Sequence, residues 1–575
     1  MRWLISSTNK EYLNYLASSA SISPTIAQIL VNRNIKTPEQ VKKFLSPSLD
    51  DLHDPFFLPD MKRAVERIHK AKKNKEKVLV FGDYDVDGLS ATALLLDALE
   101  RLGICADFMI PNRLIEGYGL SSEALRAAAQ KGVSLLITVD CGISAVEEAR
   151  LARNLGMDLI ITDHHQQTGP LPEAFAVVNP HRTDSSYPFK DLAGAGVAYK
   201  LAEAVLGNEA AVSLLDLAAM GTMADIVPLQ DENRIIVKAG IDMINNTERP
   251  GIQALKEIAE NSGRPVTKIT STTFAFVLAP RINAAGRLGD AAPVVELFRT
   301  KDKNKAATLA ALLEENNKKR REIDALLLKE ARDKLNAKRS QIVSRQSLKT
   351  VRSELGVVAL GAEGWHPGVL GIVASKLSDE LHLPVFLFSI ENGLARGSGR
   401  SIPPFNMIGA LEKCSHILEA FGGHHQAAGV RLKTSNMDVF RDKMSEFLVE
   451  SVGVEGYTPP LQIDAAVELS DVGFELVREI QMLEPFGFQN EEPVLGCKAV
   501  ETMTPRVVGK NHLKMRLKKG RQILDSIGFG MGSEVERIKG GGLMIDTVFV
   551  PRLNEWEGRT TIQLQLKELR PNRTT

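Results

Sequence analysis

The chain has 575 residues, 44% of them hydrophobic and 25% charged, which fits a soluble protein of three or four domains and excludes a disordered or fibrous chain. Its 71 Lys and Arg balance 71 Asp and Glu, so no overall charge points to a polyanion. Four cysteines without C-x-x-C spacing propose neither a zinc site nor a disulfide framework; with no signal-peptide core after Met1 and no membrane-length apolar run, the expected location is the cytoplasm.

Residues 1–50 predict a small helical segment ending near Ser46-Pro47-Ser48. In the next unit, 51–298, Val78–Phe81, Ser134–Val139 and Asp158–Thr162 are short, nearly continuous apolar runs, as expected for strands buried on both faces. Helical stretches, Ser121–Lys131 and Ser144–Leu155, lie between them. This alternation predicts a doubly wound parallel sheet with its ligand crevice at the carboxyl ends of the strands. Acidic clusters stand at those ends: Asp83-Tyr84-Asp85-Val86-Asp87-Gly88, Asp140-Cys141-Gly142 and Asp163-His164-His165. Alternate residues of a strand share a face, so Asp83, Asp85 and Asp87 are expected to point to one place. Asp225, after the helical stretch from Leu214, reads by itself as a cap or a solvated residue.

Carboxylates packed that closely need cations. An exposed acidic turn is the plain alternative, and D-x-D-x-D-G also opens a calcium loop. That loop requires a bidentate Glu at its twelfth position, where this chain has Leu94. Carboxylates with an imidazole suit manganese or magnesium. Cys141, surrounded by carboxylates, reads as a packing residue.

From Arg299 to Arg352 there are 16 Lys and Arg against 7 Asp and Glu, a local charge of +9. Asp302–Lys338 has no Pro or Gly and predicts a long helix, able to brace two lobes and to offer a basic face to a phosphate backbone. A second α/β lobe is expected over 353–455. Residues 456–575 predict a small antiparallel barrel, in which His512, Lys514, Arg516 and Lys518 alternate with Leu513, Met515 and Leu517. Phe529, Phe549 and Trp556 are candidates for stacking on bases, or core residues.

The ordered motifs Asp83–Gly88, Val139–Gly142, Asp163–His165 and Gly221–Asp225 resemble those of the DHH phosphoesterase superfamily. Phe421-Gly422-Gly423-His424-His425-Gln426-Ala427-Ala428-Gly429 resembles the signature of its companion DHHA1 domain. Pro280–Arg287, Trp365–Gly368 and Gly397–Ser401 extend the resemblance over nearly the whole chain, to the bacterial single-strand-specific 5′-to-3′ DNA exonucleases of that superfamily. The resemblance makes the last domain an OB-fold.

It also implies two Mn²⁺ or Mg²⁺ ions bridged by Asp140. Asp83 and Asp85 would hold one ion, and Asp87, His164 and Asp225 the other. Asp163 would orient His164, and His165 would stand beside the scissile phosphate as proton donor or electrostatic stabiliser. Arg113, Ser398 and Arg400 would bind the 5′-phosphate. Arg281, Asn283 and Arg287 would line a narrow passage, with His424 and His366 holding the strand. The implied function is release of 5′-mononucleotides from single-stranded DNA in repair and recombination, by a monomer working with single-strand-binding protein and a helicase. Two other readings are a DHH-type hydrolase of short oligonucleotides or cyclic dinucleotides, and a non-catalytic DNA-binding scaffold.

Overall fold

The computed structural model describes residues 2–113, 115–117, 119–261, 268–343, 356–453, 457–538, 541–556 and 558–572. The chain enters through β1 (Arg2–Ile5) and the helices Lys10–Ala20, Pro24–Asn32 and Pro38–Leu45. A five-stranded sheet follows, built from β2 (Val78–Gly82), β3 (Ala106–Met109), β4 (Leu135–Val139), β5 (Asp158–Thr162) and β6 (Ala176–Val178). Its order is β3-β2-β4-β5-β6 and every pairing is parallel. β2 and β4 are buried along their whole length, because helices pack on both faces of the sheet.

The alternation expected for Asp83, Asp85 and Asp87 does not occur. β2 ends at Gly82, Asp85 caps the helix Val86–Leu102 by accepting from the N–H groups of Asp87 and Gly88, and Asp87 lies in that helix's first turn. A capping turn, rather than a strand face, brings the acids together.

The helix Lys303–Val343 has 41 residues and spans about 60 Å at 1.5 Å per residue. Ala306, Ala310 and Leu313 belong to the catalytic-sheet core, whereas Leu327, Ala331 and Leu335 belong to the core of the next lobe, so one helix braces both. Several of its basic side chains are paired: Lys305 with Glu296, Lys319 with Glu315, Arg321 with Glu314 and Arg332 with Glu380. The end of the predicted basic stretch, 344–352, lies outside the described residues, as does the boundary expected at 353.

The second lobe contains β7 (Val358–Glu363), β8 (Val385–Glu391), β9 (Leu394–Arg400), β10 (Ala420–Gly423) and β11 (Ala427–Lys433), in the order β10-β11-β9-β8-β7. Only β7 and β8 pair in parallel. After β12 (Pro460–Ile463) and β13 (Ala465–Ala466), a barrel forms from β14 (Leu495–Val508), β15 (His512–Lys519), β16 (Gln522–Gly528), β17 (Met544–Trp556) and β18 (Arg559–Pro571). Pairing of β14 with β17 closes it. The barrel is not wholly antiparallel as expected, because β16 and β18 run parallel. On β15, Leu513, Met515 and Leu517 enter the core and the basic residues face outward. Phe529 is exposed beside His512, whereas Phe549 is fully buried and fills the barrel rather than stacking on bases; the Trp556 side chain lies outside the described residues.

The amino-terminal helices share one core with this barrel, and β1 pairs in parallel with β12. About fifty residues bury too little apolar surface to stand alone. Arg234, on the helix Asp231–Asn245, ties these parts to the catalytic unit: its guanidinium lies 3.8 Å from the Phe44 ring centre and donates to the carbonyls of Phe44 (2.8 Å), Leu483 (3.0 Å) and Glu484 (2.9 Å). Burial, reinforced by Arg33, holds it down at about 9. Substituting Arg234→Met should therefore strand buried carbonyls and cost about 3 kcal/mol or more. Calorimetric unfolding is expected to show the loss, and limited proteolysis faster cleavage among residues 1–50; unchanged behaviour in both would refute the clamp.

Candidate metal centre and anion cavity

The acidic residues converge where the parallel strands end. Asp83, Asp87 and Asp140 are 4%, 3% and 3% exposed, and Asp85 is half-buried. Ligand atoms of Asp83, Asp85 and Asp140 lie within 4.8 Å of one another, as do those of Asp87, His164 and Asp225. A third group, Asp140, His164 and His165, overlaps both. The His164 Nε2 is 3.2 Å from Asp140 Oδ1 and 3.6 Å from Asp225 Oδ2. Asp225 caps the carboxyl end of the helix Leu215–Ala224 and completes its cluster.

Burial pushes Asp83, Asp87 and Asp140 well above the usual carboxylate range, and neighbouring carboxylates push in the same direction: Asp85 on Asp83, Asp225 and Asp85 on Asp87, and Asp87 with Asp85 on Asp140. Asp85 is raised too, by burial and by Asp225. Burial lowers His164, leaving the neutral imidazole that a metal requires. Among the described residues, the buried Asp83 Oδ1 finds no hydrogen-bond donor. An oxygen-rich donor set that repels itself and includes one neutral imidazole fits hard divalent cations.

Several elements hold this repulsive cluster in place. Asp87 accepts from the N–H groups of Gly194 (2.7 Å) and Ala195 (2.8 Å) at the start of the helix Gly194–Leu206, where the helix dipole favours negative charge. A Cβ at Gly194 would run into the Asp140 carboxylate, and one at Gly221 into Asp87. Asp140 itself has φ 61°, a conformation L-residues rarely adopt and one that recurs at functional sites. Burial and the surrounding acids raise the Cys141 thiol well above its usual value, so it is a packing residue.

Asp163 does not orient the His164 ring as expected. Its Oδ1 bonds the His165 Nδ1 (2.7 Å) and accepts from the backbone N–H groups of His164 and His165, while Oδ2 accepts from Ile143 N–H. It therefore sets the path of the loop and the orientation of His165. Although burial opposes its charge, the bond to Asp163 raises His165 to about 9. Asn179 and His181 fix the same loop by bonding the carbonyls of His165 and His164.

Beside the acids, a cavity of about 940 Å³ between the lobes is lined by Tyr84, Arg113, Arg287, Ser398, Arg400 and His424, among others. Arg113 lies over the Tyr84 ring at 4.8 Å from its centre. Arg400 donates to Ser398 Oγ (3.2 Å) and to the Gly399 carbonyl (2.7 Å). Burial, with Arg113 and Arg400 nearby, brings Arg287 down to about 10. Three other expected contacts are placed differently. Arg281 is buried in an ion pair with Glu314 (2.6 Å), which engages its charge within the protein. Asn283 accepts from Val86 N–H and supports the metal-site turn. His366 caps the helix Pro367–Leu381 through Gly368 N–H and lines a neighbouring depression with Trp365.

The roles of Gly194, Ala195 and Tyr84 escape the motif reading. Ala193-Gly194-Ala195-Gly196 entering a helix is the only sequence signal for the first two, and Tyr84 is hidden among the aspartates.

This arrangement defines a two-lobed phosphoesterase of the DHH–DHHA1 class: residues 77–222 match the DHH family amino-terminal domain, 354–450 the DHHA1 domain and 463–568 the RecJ OB domain. The chain is 39% identical to the Bacillus subtilis single-stranded-DNA-specific exonuclease RecJ, covering 99% of this chain and 70% of that protein. It is 33% identical to its Haemophilus influenzae counterpart, covering 97% and 96%. The crystal structure of Thermus thermophilus RecJ in complex with Mn²⁺ superposes with a TM-score of 0.82 at 27% identity, covering 100% of this chain and 80% of that one; a Mg²⁺ complex of the same protein also matches, with a TM-score of 0.76, 25% identity and coverage of 100% and 79%. The chain belongs to the RecJ family.

Substituting Gly194→Ala should push Asp140 and Asp87 apart and weaken Mn²⁺ binding by about 10–100-fold, the range typical of residues that support metal ligands. Titration calorimetry measures this directly, and affinity equal to that of the unsubstituted protein would overturn the packing argument.

Proposed function

We propose that the protein degrades single-stranded DNA from its 5′ end, releasing 5′-mononucleotides by metal-dependent hydrolysis. The observation that carries the polarity is Tyr84. It stands between Asp83 and Asp85 and at the same time supports Arg113 in the arginine-lined cavity, so an anchor for a terminal phosphate adjoins the acids.

Asp83, Asp85 and the shared Asp140 would hold one divalent ion, and Asp87, His164 and Asp225 the other. Such a pair supplies an activated water and neutralises charge on the attacking and leaving oxygens. Arg113, Ser398 and Arg400 grip the 5′-phosphate, Arg287 adds charge, and His424 borders the strand from the second lobe. Asp163, bonded to the His165 ring, favours its charged form and orients it to stabilise charge on the scissile phosphate or to give a proton to the departing 3′-oxygen. Hydrolysis breaks the P–O3′ bond, and the shortened strand keeps a 5′-phosphate for the next cycle. Asp85 and Asp87 act through positions fixed by the capping turn and by Gly194 and Ala195.

The outward face of β15, with His512, Lys514 and Arg516 beside exposed Phe529, suits a single-strand groove. We assign residues 1–50 and 456–575 to one supporting body, 51–298 to catalysis, 299–352 to the connecting stretch that contains the helix Lys303–Val343, and 353–455 to the second lobe. No helix among the described residues is long and apolar enough to cross a membrane; a cytoplasmic monomer is what the family resemblance implies. Work in recombination and repair, mismatch repair included, beside single-strand-binding protein and a helicase follows from the family resemblance.

An end-labelled assay with Mn²⁺ tests the reading. Mononucleotides should appear from a 5′-phosphorylated single strand and not from its duplex, and EDTA should stop the reaction. Asp140→Ala should reduce turnover on the order of 10³-fold or more. Arg400→Ala should raise KM about tenfold for 5′-phosphorylated strands but not for 5′-hydroxyl strands. Preferential cleavage of dinucleotides, or full activity of the Asp140 variant, would reject it.

A further inference from the structure

The arginine-lined cavity extends beyond the place assigned to the 5′-phosphate. β9 presents Arg396, Ser398 and Arg400 on one face, while Ala395, Gly397 and Gly399 are buried on the other. In β11, Ala427, Gly429 and Arg431 stand opposite Arg400, Ser398 and Arg396. The next strand, β10, places Gly422 opposite Gly429.

Three strands therefore make a floor with almost no side chains at its centre. Neither Gly422 nor Gly429 has a positive φ, and a Cβ at Gly422 would meet nothing within 4 Å. At Gly429 the nearest atom would be 4.0 Å away. Backbone conformation and packing do not demand glycine at these two positions, and both leave open space above the sheet.

Arg396 and Arg431 stand at the far end of this floor. They are cross-strand neighbours, both exposed and both lining the cavity. Arg396 is four residues from Arg400, about 13 Å along the strand. Arg400 lines the cavity together with Arg113, Arg287 and Tyr84, and Tyr84 stands between Asp83 and Asp85, so the Arg400 end adjoins the acids and the Arg396 end extends along β9 from it. Both guanidinium groups present planar donor sets suited to phosphoryl oxygens.

We propose that Arg396 and Arg431 form a second anion subsite, which takes phosphoryl groups linked beyond the terminal 5′-phosphate and lets the enzyme start on strands ending in a 5′-triphosphate. The proposal rests on the reading that Ser398 and Arg400 hold the first phosphate. With the α-phosphate there, the β- and γ-phosphates lie over the glycine floor toward the arginine pair. Water then adds to the phosphorus joining the first two nucleotides, the P–O3′ bond breaks, and the 3′-oxygen leaves as a hydroxyl. The first product is a nucleoside 5′-triphosphate, and the remaining strand carries a 5′-monophosphate.

The test uses the full chain with Mn²⁺ and two single-stranded DNA oligonucleotides of one sequence, bearing a 5′-monophosphate or a 5′-triphosphate. The unsubstituted enzyme should show kcat/KM values within about threefold of each other, and mass spectrometry should find the nucleoside triphosphate as first product. The double substitution Arg396→Gln, Arg431→Gln should lower kcat/KM on the triphosphate strand about tenfold or more while leaving the monophosphate strand unaffected, which also reports correct folding. Three results would overturn the subsite: slow turnover of the triphosphate strand by the unsubstituted enzyme, an equal effect of the variant on both strands, or release of a dinucleotide carrying the triphosphate. Failure of the unsubstituted enzyme on the monophosphate strand would instead remove the reading beneath it.

Discussion

The mutual repulsion of buried carboxylates is the constraint on which the rest of this structure turns. Asp83, Asp85, Asp87 and Asp140 all have proton affinities raised by burial and by one another. The folded protein consequently binds protons there more tightly than the unfolded chain does. As pH rises above the ordinary carboxylate range, ionising these groups costs folding free energy, and divalent cations supply the compensating charge. Protons and metal thus compete for the same oxygens. The sheet, the capping turn at Asp85 and the Gly194–Leu206 helix keep those oxygens close enough for the competition to favour metal.

Specificity for a strand end requires a second lobe at a fixed distance from the first. A single helix, Lys303–Val343, enters both cores and sets that separation. Four of its basic side chains, Lys305, Lys319, Arg321 and Arg332, are engaged in intramolecular pairs, and exposed pairs of this kind add little stability individually. The cavity between the lobes gathers positive charge of its own, with Arg113 from one lobe and Arg400 from the other.

Much of the site was legible because its signals are local. Apolar runs ending in acids mark strands of a parallel sheet, and the motifs locate Asp140, His164 and Asp225 without knowledge of any contact. The reasoning about Asp83, Asp85 and Asp87 reached the right convergence by the wrong geometry, since strand alternation and an N-capping turn both gather residues spaced two apart. Side-chain partners were less legible. Whether Asp163 serves His164 or His165, and whether Arg281 meets a phosphate or Glu314, depends on loop path and on a helix thirty residues away. Phe549 shows the same limit, because an aromatic in a barrel strand reads alike from either face until the register is known. The pairing of β1 with β12, across almost the whole chain, has no local signal at all.

That long-range pairing bears on the metal centre through Asp225. The other acids sit at the ends of buried strands or on the first turn of a buried helix, whereas the Asp225 side chain is 29% exposed and begins the connection to the supporting body. Four residues later, Leu229 N–H donates to the Phe488 carbonyl at 2.9 Å, and Ser271 donates to the carbonyl of Phe486. Arg234, five residues further on, anchors the same region to Phe44 and Leu483. Asp225 is therefore held on one side by its helix and on the other by the body formed from both chain ends. Residues outside every motif, with no chemistry of their own, thereby help fix the position of Asp225.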